Sequence, residues 1–189
     1  ARPFRVSPTE MYVWLRLARM MATAKSRGRY RLGEESRLTF RCLPSDIDSN
    51  FHLNNARYMM LADVGRIDIF ARSGLITLAR GRRWAPMMGG LQAAYVREIR
   101  LWTKFEVVSS VETWEDTQVI GRHRFVLDGE TAALVMTTAG VYDRTNRRFL
   151  EIDDVIAALG RRIAPRPPTE AERIFMQSHG GLRALAKVI

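Results

Sequence analysis

Cysteine is almost absent from this sequence, with Cys42 the only one in 189 residues. An intramolecular disulfide and a cysteine-based metal cluster are therefore excluded, and a reducing compartment is expected. Lysine is nearly as scarce, so the formal net charge of +10 comes almost entirely from arginine. This charge favours anionic partners such as a phosphate-bearing small molecule. The arginines are scattered and follow no nucleic-acid-binding pattern, so we do not expect nucleic acid as a partner.

Long hydrophobic runs and the common phosphate and nucleophile motifs are also missing. The longest uncharged stretch near the N-terminus, Met11 to Leu15, is too short to span a bilayer and is not the apolar core of a secretory signal. There is no glycine-rich phosphate loop, no Gly-x-Ser-x-Gly motif and no metal-ligand spacing. We therefore expect a soluble, cytoplasmic protein that needs no metal or other cofactor.

The first strong pattern predicts a basic amphipathic helix from Ser7 to Lys25. Ser7 and Glu10 have capping-box spacing, and Pro8 occupies the first helical position. Apolar residues recur at helical intervals, with arginines between them. The helix either packs on the domain or a partner subunit, or lies on anionic lipid. The second alternative leaves open a peripheral contact of residues 7–25 with the inner face of a membrane.

The middle of the chain predicts one strand, one long apolar helix and then four more strands. Residues 37–42 alternate as a half-buried strand does, and residues 55–73 form a helix with little polar surface. A loop is predicted for residues 75–90. The strands follow at about 91–102, 104–115, 119–128 and 131–143. Asp128-Gly129 marks a tight hairpin between the last two strands. His123, in the basic segment 122–124, is expected to be solvated or near a phosphate.

The C-terminal part predicts a short helix near 153–159 and, after a proline-rich linker, a helix capped by Thr169 and Glu172. The whole is an α+β protein in which one long helix must bury nearly all its faces. A curved antiparallel β-sheet wrapped around that central helix meets this demand. We divide the chain into a helical extension (1–34), the main domain (35–150) and a C-terminal helical extension (151–189).

The segment between the first strand and the long helix carries a family resemblance. It reads Asp46-Ile47-Asp48-Ser49-Asn50-Phe51-His52-Leu53-Asn54-Asn55-Ala56-Arg57-Tyr58. This pattern resembles the signature of hotdog-fold thioesterases, both the 4-hydroxybenzoyl-CoA thioesterase-like group and the plant acyl-ACP thioesterases. The segments 95–99 and 104–107 also resemble their second strand and its turn. The similarity covers about residues 36–150.

The resemblance implies a homodimer or homotetramer with active sites at the subunit interface, acting on an acyl-CoA or acyl-ACP thioester. Asp48 matches the catalytic carboxylate, and Asn50 and His52 match further active-site positions of the acyl-ACP group. Glu98 falls near a carboxylate of that group, although its spacing from His52 is longer here. Tyr58, at the end of the motif, is assigned to substrate binding with Glu98. Ile99 stands where that group carries cysteine, which excludes a cysteine nucleophile at this position.

The same residues suit thioester chemistry on physical grounds. Hydrolysis needs a nucleophile or a base for water, and donors for the oxyanion. Asp48 meets the first need by either route. Asn54 suits the N-cap of the long helix, which places the Asn55 backbone N–H at its positive end as an oxyanion donor. His52 would orient Asp48 or assist proton transfer, and Asn50 would position substrate or water.

Two functions are compatible with these patterns. The first is an acyl-CoA thioesterase-like hydrolase. The second is a non-catalytic hotdog protein that binds acyl-CoA or lipid at a membrane through its N-terminal helix. The departures at Glu98 and Ile99 keep the second function open.

Overall fold

The computed structural model of the chain describes residues 8–186 and 188, with side chains from Val13 onward. The elements in chain order are α1 (Pro8–Ala24), β1 (Ser36–Arg41), α2 (Asn55–Ser73), α3 (Leu75–Arg82), β2 (Trp84–Tyr95), β3 (Lys104–Glu115), β4 (Gln118–Leu127), β5 (Glu130–Asp143), β6 (Arg148–Phe149), α4 (Ile152–Ala158) and α5 (Glu170–Leu185). A short 3-10 turn, Pro44–Asp46, follows β1. The capping box predicted from Ser7 and the Glu10 side chain lies outside the described residues.

The sheet is antiparallel throughout and curls around α2. Its strand order is β1-β3-β4-β5-β2, with β6 added to β5. This leaves β1 and β2 at the two edges. The predicted α+β hotdog fold, a curved sheet around a long central helix, is confirmed.

The central helix α2 begins and ends where the sequence predicts. The Asn54 side chain accepts a hydrogen bond from the Ala56 N–H at 2.9 Å, and Gly74 ends the helix in the left-handed conformation, with φ 89°. From Arg57 onward every residue of α2 is buried or half-buried. The main core forms where the N-terminal half of α2 meets the sheet, and it includes Tyr58, Leu61, Ala62, Phe105, Val107, Phe125 and Val135.

Helix α1 packs onto this domain. Met20 is buried against Leu38 of β1 and Val64 of α2, and Arg27 at the end of the helix bonds the buried carboxylate of Asp68 at 2.5 Å. The helix is therefore attached on one face, while Trp14 and Leu15 remain exposed on the other. Of the described helices, none is long and apolar enough to cross a membrane.

The loop predicted for residues 75–90 is wrong. Residues 75–82 form α3, and β2 already begins at Trp84. Gly74 ends α2 and starts α3, so the break between the helices takes one residue. Pro86 fits within β2 because an edge strand pairs on one side only. Gly89 lies at a bulge where the pairing with β5 shifts between Met88 and Gly90.

The strand predicted at 91–102 is displaced toward the N-terminus, because β2 begins at Trp84 and already ends at Tyr95. Strand β2 ends at Tyr95, where the N–H groups of Val96 and Arg97 both bond the Ala132 carbonyl, at 2.8 and 2.9 Å. The chain then leaves the sheet and runs as a connection, residues 96–103, toward the segment that precedes α2. The strands β3, β4 and β5 and the hairpin at Asp128-Gly129 lie as predicted.

His123 is not solvated, contrary to the expectation from its basic neighbours. Its side chain is fully buried under α2, with Nδ1 2.8 Å from the Ser109 Oγ and Nε2 3.3 Å from the Thr137 Oγ1. Burial, together with the charge of the nearby Arg66, lowers the pKa of His123 to about 3, so the ring is neutral at ordinary pH. Three strands thus contribute one polar row beneath the helix.

The close approach of α2 to this row requires glycine at position 65. A Cβ on Gly65 would lie 2.2 Å from the Ser109 Oγ. We expect Gly65→Ala to lower the free energy of unfolding by about 2 kcal/mol, because the helix or the serine must move. Urea unfolding measures the change.

The control for this substitution is Gly81→Ala in α3. No atom lies within 4 Å of the added Cβ there. This variant should be neutral or up to about 1 kcal/mol more stable, since alanine favours the helix. Equal stability of Gly65→Ala and the wild type would contradict the close packing.

Candidate active site

The motif residues form a tight loop between the 3-10 turn and α2. Ile47 and Leu53 pair as an antiparallel bridge across its base. Within the loop, the Asp48 N–H donates to the His52 carbonyl at 3.0 Å, and the Phe51 N–H donates to the Asp48 carbonyl at 3.1 Å. The backbone therefore fixes the direction of Asp48.

The Asp48 carboxylate lies at the surface of this loop with 23% of its side chain exposed. Its Oδ1 accepts the Asn50 backbone N–H at 2.9 Å and lies 3.5 Å from the His52 Nδ1. Among the described residues, Oδ2 has no donor. Asn50 thus contributes its N–H to Asp48, while its side chain is exposed. The structure brings Asp48, Asn50 and His52 together.

The loop is anchored by Asp46, which is fully buried. Its Oδ2 accepts the Leu43 N–H at 2.9 Å and the Arg16 guanidinium at 2.7 Å, and Arg57 lies 4.0 Å from Oδ1. Its carbonyl accepts the Asn54 N–H at 2.8 Å. Burial raises the pKa of Asp46 and lowers that of Arg16, against their mutual attraction. Burying this ion pair therefore costs free energy, and removing one partner would cost more, because the other charge would stay buried without compensation.

The N-terminus of α2 follows directly from the loop. Asn54 caps the helix through its side chain, and its carbonyl accepts the Arg57 N–H at 2.8 Å. The Ala56 and Arg57 N–H groups are therefore occupied. The Asn55 N–H has no partner within the described part of the chain, and Asn55 is exposed. A helix N-terminus carries partial positive charge, so this N–H can stabilise an anionic oxygen.

The connection 96–103 runs beside the motif loop. The Leu53 N–H donates to the Ile99 carbonyl at 2.8 Å, and His52 pairs with Arg100 as an antiparallel bridge. Ile99 is buried. Glu98 is exposed, and its Oε1 accepts a hydrogen bond from the Arg100 Nε at 2.6 Å. Glu98 is thus near the loop in the fold, with its carboxylate held by arginine.

Tyr58 lies in the core beneath the loop. Its ring is 5.0 Å from that of Tyr95 and 4.8 Å from that of Phe125, measured between centroids. Burial raises the pKa of Tyr58 to about 12, and the charge of Asp48 adds to the effect. Any contact of Tyr58 with substrate would be made from the core side.

Two features of this site were missed at the level of sequence. The anchoring role of Asp46 went unnoticed because Asp before a helix is ordinarily a turn residue. The amphipathic pattern of α1 also gave no sign that Arg16 binds that carboxylate. The pairing of a buried acid with a distant arginine leaves no local signal. The motif itself, with two aspartates two residues apart, was the only hint.

An apolar cavity lies at the other end of α2, away from the motif loop. It has a volume of about 80 Å³, lies under α4 and is lined by Ile69, Phe70, Val111, Trp114, Val141 and Ile156 among others. Within the described residues no group of three or more His, Cys, Asp or Glu is placed to hold a metal ion.

Comparison with known proteins gives consistent matches. A family model described as the thioesterase-like superfamily matches residues 42–159. Protein THEM6 from Xenopus laevis is 36% identical over 97 residues, which is 50% of this chain and 47% of that protein. The chain therefore spans about half the length of that curated relative.

Solved structures match the fold over most of their length. YbaW, a probable thioesterase from Escherichia coli, aligns with a TM-score of 0.61 and 18% identity, over 65% of this chain and 95% of that one. A Staphylococcus aureus protein solved in complex with CoA aligns with a TM-score of 0.57 and 14% identity, over 75% of this chain and 94% of that one.

The anchoring role of Asp46 is testable by stability. We expect Asp46→Ala to lower the free energy of unfolding by about 3 kcal/mol, because Arg16 stays buried without this carboxylate. Glu106→Ala is the control, since Glu106 is 41% exposed and its partner Arg37, 3.3 Å away, is 54% exposed. That variant should lose less than about 1 kcal/mol. Similar losses in urea unfolding of both variants would contradict an anchor at Asp46.

Proposed function

Because the chain belongs to the thioesterase-like superfamily, we propose that it hydrolyses an acyl thioester of coenzyme A or acyl carrier protein to a carboxylic acid and a thiol. The observation that carries the proposal is the Asp48 carboxylate. It lies half-buried at the surface of the motif loop, seven residues before the start of α2, and one of its oxygens is held by the Asn50 N–H. The other oxygen is available for chemistry.

Asp48 acts by one of two routes. As a general base, Oδ2 takes a proton from water, which adds to the carbonyl carbon; the tetrahedral intermediate then expels the thiolate. As a nucleophile, Oδ2 attacks the carbonyl itself, the C–S bond breaks with release of the thiolate, and the mixed anhydride that forms is hydrolysed by water. In both routes the carbonyl oxygen becomes negative. The Asn55 N–H at the start of α2 is the proposed donor to that oxygen.

His52 and Asn50 support Asp48 in this proposal. His52 lies on the Oδ1 side at 3.5 Å and would orient the carboxylate. Asn50 fixes Oδ1 through its backbone, so the proposal predicts a mild effect of Asn50→Ala. Tyr58 closes the core beneath the loop.

Coenzyme A as the carrier rests on two supports. The S. aureus protein of the same fold was solved with CoA, and this chain is rich in arginine, which matches phosphate geometry. Arg97 and Arg100 are exposed in the connection beside the motif loop. These are suitable partners for the phosphates of the coenzyme.

The active unit in this proposal is a homodimer formed through β2. This edge strand is paired on one side only, and Met87, Leu91 and Tyr95 expose apolar surface along it. An edge strand of twelve residues with apolar side chains is suited to pair with a second copy. Pairing there would bring apolar surface next to Tyr58, which contacts Tyr95.

A non-catalytic acyl-CoA-binding protein is the second candidate. The observation that favours it is Glu98, whose carboxylate is held by Arg100 and is not joined to Asp48. The two functions differ in whether bound acyl-CoA is cleaved.

Replacing Asp48 tests the catalytic proposal. We expect Asp48→Asn to lower kcat for acyl-CoA hydrolysis by at least about 100-fold, because the amide neither attacks nor accepts a proton. Thiol release over short, long and aromatic acyl-CoA esters measures the rate. One turnover in ¹⁸O-water that places label in Asp48 identifies the nucleophile route, since a general base exchanges no carboxylate oxygen.

The matched control is Asp128→Asn at the tip of the β4–β5 hairpin, where the carboxylate is exposed. Its turnover should equal that of the wild type, and both variants should melt like the wild type. Binding of acyl-CoA by the wild type without thiol release would support the second candidate instead. Full activity of Asp48→Asn would refute the proposed role of Asp48.

Replacing Leu91 tests the proposed dimer. We expect Leu91→Lys to convert the dimer to monomer at micromolar concentration, because a buried charge at the paired edge lacks a partner. Sedimentation velocity measures the change in mass. Ile163→Lys is the control, since Ile163 is equally apolar and exposed but lies in the linker before α5. A wild-type monomer at high concentration would exclude this interface.

A further inference from the structure

Two large aromatic side chains are held exposed in a backbone conformation that large residues rarely adopt. Phe51 has φ 61° and is 72% exposed, and Trp102 has φ 65° and is 54% exposed. Glycine or asparagine is the usual residue at such positions. Exposed aromatics in a disfavoured conformation gain nothing for the isolated chain. They therefore point to a binding role.

The two residues lie in neighbouring loops. Phe51 precedes His52, which is bridged to Arg100, and Trp102 follows in a turn that the Thr103 N–H closes on the Arg100 carbonyl at 3.1 Å. Phe51 belongs to the motif loop and Trp102 to the connection 96–103. Both residues thus lie exposed in the pair of neighbouring loops that includes Asp48.

Helix α1 brings further apolar surface to these loops. The Trp102 N–H donates to the Cys42 carbonyl at 2.8 Å, just after β1. The Arg16 guanidinium of α1 donates to the Arg41 carbonyl at 3.0 Å. Trp14 and Leu15, immediately before Arg16, are exposed. We call the surface formed by Trp14, Leu15, Phe51 and Trp102 the aromatic end.

The charge around the aromatic end is positive. Arg19, Arg41 and Lys104 are exposed, and none has an acidic partner among the described residues. Arg41 donates to the Trp102 carbonyl at 2.8 Å, a neutral group, so its charge remains uncompensated. Of the described acidic groups in these loops, Asp46 bonds Arg16, Glu98 is paired with Arg100, and Asp48 remains.

We propose that the aromatic end docks on an anionic phospholipid membrane. Tryptophan and phenylalanine anchors on three separate elements, surrounded by arginine and lysine, match the requirements of a lipid headgroup interface. A protein partner would be expected to need a continuous apolar patch, which the intervening arginines interrupt. A second copy of this chain would bind more favourably along the edge strand β2, where backbone groups are free to pair. The docked protein holds the Asp48 loop toward the bilayer, and docking itself does not depend on hydrolysis.

The test uses the full chain and vesicles of phosphatidylcholine with and without phosphatidylglycerol. The double variant Phe51→Gly/Trp102→Gly removes both anchors, and glycine relieves the left-handed backbone, so the melting temperature should be unchanged or higher. We expect the double variant to bind phosphatidylglycerol vesicles about tenfold more weakly than the wild type in co-sedimentation. Brominated lipid should quench the tryptophan fluorescence of the wild type more than that of the variant.

One control accompanies this variant, and a second test, of the basic residues, has a control of its own. Leu182→Ala removes an exposed apolar side chain of α5, away from the aromatic end, and should bind like the wild type. Lys104→Gln should bind about fivefold more weakly, because each basic residue at an anionic surface contributes about that factor. Arg162→Gln, in the linker before α5, should leave binding unchanged.

Three results would overturn the proposal. One is the absence of wild-type binding to phosphatidylglycerol vesicles, and another is equal binding to vesicles without it. The third is a double variant that binds like the wild type. A loss of self-association in sedimentation velocity, with vesicle binding unchanged, would assign the aromatic end to a second copy instead. Because none of these readouts uses thiol release, their failure is distinct from failure of the proposed hydrolysis.

Discussion

The carboxylate of Asp46 has no exposed surface, so protein groups must neutralise it, and the groups that bond this residue come from three parts of the chain. Arg16 reaches it from α1 and the Leu43 N–H from the 3-10 turn, while Asn54, the cap of α2, bonds the carbonyl of the same residue. Both ends of the motif loop are thereby fixed to one residue. The orientation of Asp48 depends on this convergence, because only the loop between those ends carries it.

The elements that the sequence predicted best are those whose ends are marked by local chemistry. Asn54 and Gly74 delimit α2, and Asp128-Gly129 turns β4 into β5, because capping and hairpin formation need only neighbouring residues. Pro86 and Gly89 were misleading because they are tolerated in β2 by its place at the edge of the sheet. That place depends on which strand pairs with β5, and no local pattern contains this information.

The candidate site likewise combines features that the sequence predicted with features that it did not predict. The motif loop and the helix N-terminus were predicted, since consecutive residues build them. The backbone role of Asn50, the position of Tyr58 in the core and the burial of His123 were not. His123 shows why: its two hydrogen-bond partners, Ser109 and Thr137, lie on the strands to either side of its own. The basic residues next to His123 in the sequence point to the other face of the sheet, so they do not indicate which groups surround the His123 side chain. The catalytic and substrate-binding roles stay predictions.

The single thiol, Cys42, lies at the boundary between β1 and the connection 96–103. Its N–H and carbonyl bond Thr103 and Trp102, and its side chain is buried. Burial raises the pKa of Cys42 to about 11, with the charge of Asp46 adding to the effect, so almost no thiolate exists at neutral pH. A thiol reagent therefore reacts only after this boundary opens. Because the chain has no other cysteine, labelling kinetics would report the local opening of the motif region, separately from global unfolding.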